Sequence, residues 1–315
     1  MNTAESNRTG TNTLSYEGFR NVLFSQTKSV FKDEFGINDI TVEKTIRNND
    51  TEIEVLCIKH GTTGCMPNIH IDDLYEVYEK GENIDEIIDS VKETYIRCSR
   101  YTLPDLEKLR AFVENIDEAG SKIEFRLINA DTNEKRLEDK PFKRFGEFAL
   151  SYQLKVGTAD NGFYVTLITN DMMELWNLNI DELHRQAVEN MDPINNFVLQ
   201  KLSDLLEIPD RTGMFVLTNK HKMNGATMIM FDEVRQKVGK YVGGDYYILP
   251  TSVHEVIIIP KRYTSDISYL TYMIRSANRD ERIVRPDDFL SDNLYEYNMY
   301  TRKLSLSIDP KAVLN

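Results

Sequence analysis

The chain has 315 residues, 41% of them hydrophobic, and its 38 basic and 51 acidic residues leave a net charge of -13. That is enough apolar material for one large folded domain or two ordinary ones, and it excludes a disordered polyelectrolyte. The acidic balance repels a nucleic-acid backbone from the molecule as a whole, and three cysteines are too few for a disulfide framework, which fits a reducing cytoplasm.

The first fourteen residues are polar and lack the charged head and apolar run of a signal peptide, so residues 1–14 are expected to be a disordered tail. No later window approaches the roughly eighteen apolar residues that span a bilayer, so no membrane partner is expected. Ser15 can cap a helix carrying Phe19, Val22, Leu23, Val30 and Phe31. "ITVEKTI" and "TEIEVLCI" flank the turn chemistry of "RNND" and read as a hairpin. In "NIDEIIDSVKETY", Ile84, Ile87, Ile88, Val91 and Tyr95 fall at helical spacing behind Asn83 as cap. The polar stretch from Arg100 to Glu118, with Pro104, divides an N-terminal α+β domain (15–110) from a C-terminal one (111–315).

The order of hairpin and helix then recurs. "FALSYQLKV" and "GFYVTLIT" flank a "GTADN" turn, and a helical pattern runs through Ile180, Leu183, Ala187 and Val188. A second helix is expected over Ile194 to Leu206, with Phe197, Val198, Leu202 and Leu205 on one face. "MFVLT" and "ATMIMF" read as strands before the helix "DEVRQKVGKYV", which Gly243 and Gly244 stop. "DYYILP" and "EVIIIP" form a hairpin, and a last helix carries Ile267, Leu270, Ile274 and Ala277. Repeated hairpin-plus-helix units make an α+β fold, with mainly antiparallel sheets and helices packed on them. The echo between "GFYVTLITN" and "GMFVLTN" hints at duplication.

Candidate chemistry gathers at two connectors. In "ILPTSVHEV", His254 and Glu255 follow a tight turn; a zincin helix would need a second histidine where Ile258 stands. On a strand the two side chains would point to opposite faces, and Ser252 lacks the surroundings of a nucleophile elbow. In "LTNKHKMNGA", Asn219 closes one strand, Asn224 and Gly225 open the next, and Lys220, His221 and Lys222 form a basic knob between them. Cys57, His60, Cys65 and His70 have zinc-knuckle spacing with two ligand types exchanged. Cys57 sits within a strand pattern, however, so a buried thiol is the simpler expectation and no metal or other cofactor is expected. The carboxylate pairs in "IDD" and "PDD" read as helix starts, and neither a P-loop nor a dinucleotide glycine pattern is present. From Arg211 to Arg285 there are 12 Lys or Arg against 7 Asp or Glu, a locally basic stretch in an acidic chain.

The string "FVLTNKHKMNGATMIMFDEVRQKVGKYVGGDYYILPTSVHEVIIIP", with "LITNDMMELWNLNIDELHRQAVENM" and "IHIDDLYEVYEKGENIDEII", resembles the bacterial family catalogued as domain of unknown function 5688. Members recur in gut Clostridia, with more distant similarity to another uncharacterised Firmicutes family. The resemblance runs from about Tyr16 to Leu304 and implies an intracellular bacterial protein of family length. It requires neither Cys57, His60 nor Cys65, and it transfers no catalytic residue. The expectation is a cytoplasmic, non-catalytic interaction module that binds another protein or itself. Its binding face comprises Asn219, Lys220, His221, Lys222, Asn224, Ser252, His254 and Glu255. Two alternatives stay open: a hydrolase using His254 with Ser252 or Glu255, and a nucleic-acid binder using the basic 211–285 segment.

Overall fold

Helix α1 (Tyr16–Phe35) begins where the Ser15 side chain accepts the Gly18 N–H and ends where Gly36 takes a left-handed conformation with φ 70°. It belongs to the first of two units in the computed structural model, which describes residues 13–59, 68–100, 106–159, 162–209 and 213–307. The bulk of the expected N-terminal tail therefore lies outside the described residues.

The first unit comprises residues up to Ile46 and Glu52 to Lys108. Strands β1 (Asp39–Ile46), β2 (Glu52–Lys59) and β3 (Asn68–His70) form an antiparallel sheet in that order. Helices α2 (Ile71–Glu79) and α3 (Ile84–Arg100) follow. Phe19, Leu23 and Phe31 of α1 share a core with Leu56 and Ile58 of β2 and with Ile87 and Val91 of α3. The helical periods of the sequence thus become one buried face per helix.

The second unit is discontinuous, with Arg47–Thr51 joining Leu109–Asn315. Helices α4 (Leu106–Glu114) and α5 (Ile116–Ala119) lead to β4 (Ile123–Asn129), α6 (Glu134–Leu137), β5 (Phe142–Phe145), β6 (Phe148–Ala159) and β7 (Gly162–Leu167). Long β6 pairs with β4, β5 and β7, all antiparallel. Helices α7 (Asn170–Trp176), α8 (Ile180–Asn190) and α9 (Pro193–Asn196) precede β8 (Phe197–Lys201), α10 (Leu202–Leu205) and β9 (Phe215–Asn219). A 3-10 turn over Gly225–Met230, α11 (Asp232–Val242), β10 (Tyr246–Leu249), β11 (Val256–Pro260), α12 (Ile267–Asn278), β12 (Tyr295–Asn298) and β13 (Lys303–Leu306) complete the described chain. The larger sheet runs β13-β12-β10-β11-β9-β8 with every pair antiparallel. Both sheets of this unit contribute to one core, in which Phe125, Leu127 and Tyr152 meet Leu217, Ile248 and Ile258. This is an α+β fold of antiparallel sheets and packed helices.

Two expected elements take another form. The helix expected from Ile194 to Leu206 is a strand, β8, between two single-turn helices. Its β-prone Phe197 and Val198 find a partner in β9, and five ladder pairs outweigh the helical spacing of the apolar residues. "ATMIMF" is the 3-10 turn, with Ala226, Met228 and Ile229 buried in the core, so "LTNKHKMNGA" does not close a hairpin. Left-handed Asn224 with φ 53° reverses the chain, and the Ala226 N–H goes to the Val253 carbonyl at 3.1 Å instead of extending a ladder beside β9. Among the described residues, no helix is long and apolar enough to cross a membrane.

Candidate functional site

Strands β10 and β11 are joined by the segment 250–255, and the loop after β9 crosses it. Thr218, at the end of β9, donates its hydroxyl to the His254 carbonyl at 2.8 Å. The Asn224 N–H donates to His254 Nδ1 at 3.2 Å, and His254 Nε2 lies 2.9 Å from Asp288 Oδ1. A neutral ring that accepts at Nδ1 carries its proton on Nε2 and gives it to Asp288. One imidazole thus ties the loop at Asn224 to the segment carrying Asp288. Backbone bonds repeat the tie, from Ala226 N–H to the Val253 carbonyl, from Val253 N–H to the Asp288 carbonyl, and from Leu290 N–H to the Thr251 carbonyl.

Asn219 shapes the loop from inside. Its side-chain oxygen accepts the N–H groups of His221 at 3.0 Å and Met223 at 3.3 Å, and its amide donates to the Met223 carbonyl at 2.7 Å. Lys222 and Asn224 both take φ 53°, the left-handed region, which asparagine tolerates better than most residues. Gly225 is required by close approach: an added Cβ would lie 2.5 Å from the His254 carbonyl oxygen and 2.7 Å from the Asn219 nitrogen. The result is a fixed loop that exposes Lys220, His221, Lys222 and Met223.

The hydrogen bond to Asp288 holds the His254 pKa above the usual imidazole value; burial opposes this, and the charges of Asp288, Glu255 and Asp287 reinforce it. Burial pushes the Glu255 carboxyl up, partly offset by His254. Segment 252–255 is not part of a strand, so the expected alternation of His254 and Glu255 across a sheet does not apply. Ser252 is buried, and its hydroxyl accepts the backbone N–H of His254 at 3.0 Å rather than donating to the imidazole. Both ring nitrogens are already engaged, so the described geometry contains no Ser–His nucleophile–base pair.

Of the expected face, the structure joins Asn224, Ser252 and His254 by hydrogen bonds, while Asn219 shapes the adjoining loop from within and Lys220, His221 and Lys222 are displayed from it. Sequence reasoning missed Asp288, which had been assigned to a helix start, and Thr218. A histidine in a connector calls for an orienting carboxylate, but nothing local indicated one 34 residues away. Asp287 likewise pairs with Arg47 at 2.6 Å.

The zinc-knuckle set is divided. His60 and Cys65 lie outside the described residues; Cys57 is buried in β2, and His70 Nδ1 lies 3.0 Å from Asp73 Oδ2 at the start of α2. Among the described residues no group of three or more His, Cys, Asp or Glu is arranged to hold a metal ion. Within the basic stretch, Arg235, Lys261, Arg282 and Arg285 form ion pairs with Asp232, Glu296, Asp280 and Asp287, which spends part of its positive charge internally.

The chain belongs to a family of unknown function, DUF5688, whose model matches residues 16–299. No curated protein and no solved structure matches it.

Proposed function

We propose that this is a cytoplasmic, non-catalytic binding protein that recognises an acidic surface of a protein partner through the Lys220–Met223 loop. The carrying observation is the double engagement of His254, which fixes that loop to the 250–255 and 286–290 segments before any partner arrives. A loop already ordered loses little conformational entropy on binding, so its contacts appear as affinity. Exposed lysines steer an acidic partner and set the rim, while Met223, 50% exposed between them, offers adaptable apolar contact. An imidazole with both nitrogens occupied favours this structural role over that of a general base.

The test is quantitative affinity purification of the tagged full chain from its native host, beside the Lys220→Glu/Lys222→Glu double variant. These exposed changes are expected to shift stability by no more than about 0.5 kcal/mol. Recovery of a specific partner is expected to fall at least about tenfold, a loss of roughly 1.4 kcal/mol in binding. Equal recovery by both proteins would remove the loop from the interface.

A further inference from the structure

Among the described residues strand β8 is an edge of the larger sheet and pairs there with β9 alone. The Lys220 N–H meets the Asn196 carbonyl and the Leu202 N–H meets the Met214 carbonyl, both at 2.9 Å, which fixes the phase of the ladder. Residues 196, 198, 200 and 202 bond toward β9, so Leu199 turns its N–H and C=O outward. Among the described residues nothing takes up those two groups. An edge with unpaired backbone groups is a template for another strand.

The side chains beside that edge are unusual for a solvated rim. Phe197 and Leu199 point to the same face, where they line a groove of about 600 Å³ with Lys237, Lys240 and Tyr241 of α11. The three helix residues lie at positions i, i+3 and i+4, one face of α11. Tyr241 is 66% exposed, although its ring meets Phe215 edge-on at 5.7 Å. Lys237 lies 6.0 Å from the Phe197 ring centroid, and among the described residues neither it nor Lys240 is in an ion pair. Among the described residues the groove therefore presents an apolar floor, two cations and no carboxylate. Leu205, Leu206 and Ile208, which follow β8 in the chain, are also exposed. Apolar exposure concentrated around one edge marks an interaction surface.

We infer that β8 and its groove receive an extended acidic segment of a partner protein by strand addition. The segment's main chain pairs with Leu199, an apolar side chain enters between Phe197, Leu199 and Tyr241, and carboxylates two residues to either side meet Lys237 and Lys240. Alternation along a strand supplies this pattern, because residues i-2, i and i+2 share a face. Charge selects the occupant: the lining is cationic, whereas a second copy of this chain would bring a net charge of -13 together with the same groove cations. This surface does not depend on the Lys220–Met223 loop, and failure of that proposal leaves it standing.

The probe is a blocked, fluorescent heptapeptide, Thr-Glu-Thr-Phe-Thr-Glu-Thr, whose anisotropy is followed as full-length protein is added. Saturable binding is expected, weakened at least about tenfold by Lys237→Glu/Lys240→Glu and by exchanging both glutamates of the peptide for lysine. N-methylation at the peptide's phenylalanine removes the N–H that faces β8 and leaves the protein untouched; it is expected to abolish binding. No saturation by about 1 mM protein, or equal affinity for the N-methylated peptide, would overturn the inference. So would sedimentation showing a dimer that Lys237→Glu/Lys240→Glu disperses, since the groove would then belong to a second copy.

Discussion

At the scale of single residues, His254 has two duties that respond to a proton in opposite ways. Protonation strengthens its pairing with Asp288 but places a hydrogen on Nδ1, where the Asn224 N–H now donates. Because the folded pKa is raised, the ion pair contributes stability that is full below the ordinary imidazole value of about 6.5 and is lost as pH rises through the raised one. Denaturant titrations are expected to show wild type losing stability relative to Asp288→Asn across that window. The loop behaves inversely, with the Asn224 amide exchanging faster, against its intrinsic rate, once the ring is charged. Parallel pH dependence of the two readouts would contradict this division. His254→Ala removes both ties and leaves Asp288 without its partner, at a cost of roughly 1–3 kcal/mol in urea unfolding.

At the scale of elements, legibility followed locality. Helix α1 was readable because Ser15 caps an apolar period, and α11 because Gly243, left-handed at φ 79°, ends it. The hairpin of β10 and β11 was readable from its two apolar runs. Strand β8 was not, because Phe197, Val198, Leu202 and Leu205 satisfy a helical spacing while the ladder that decides the matter comes from Phe215–Asn219. The two connectors were legible, but Asp288 and Thr218, which tie them at His254, were not, since only folding brings them there. The 3-10 turn after Asn224 shows how tightly that assembly is packed. A Cβ on Gly225 would stand 2.2 Å from Thr218 Oγ1 and within 2.7 Å of two backbone atoms, which no rotamer change relieves. Gly225→Ala is therefore expected to cost about 3 kcal/mol, the upper part of the overpacking range, measurable by urea unfolding. A neutral result would mean that the loop does not cross the 250–255 segment this closely.

At the scale of the molecule, the His254 assembly depends on a segment far from it in sequence. Residues 47–51 belong to the second unit, although the chain on either side of them belongs to the first. Asn49, left-handed at φ 61°, donates from its amide to the carbonyls of Pro286 and Phe289, each at 2.8 Å. Its oxygen accepts from Thr132 Oγ1 at 2.7 Å and Asn133 Nδ2 at 3.0 Å, and its backbone N–H reaches Asn133 Oδ1 at 2.9 Å. Asp50 accepts the N–H groups of Lys135 and Arg136, both at 2.9 Å, closing the start of α6. Because Asn49 grips both sides of Asp287 and Asp288, it positions the carboxylate that orients His254. Asn49→Ala leaves the buried Asn133 short of partners and is expected to cost about 2–3 kcal/mol. In a double-mutant cycle with Asn133→Ala, the two losses are expected to fall short of additivity by about 1 kcal/mol or more. Asn49→Ala should also speed exchange of the Asn224 amide while the fold persists, because the loosened 286–290 segment relaxes the hold of Asp288 on His254. Full additivity with an unchanged Asn224 amide would show that residues 47–51 stabilise the unit without supporting the loop held by His254.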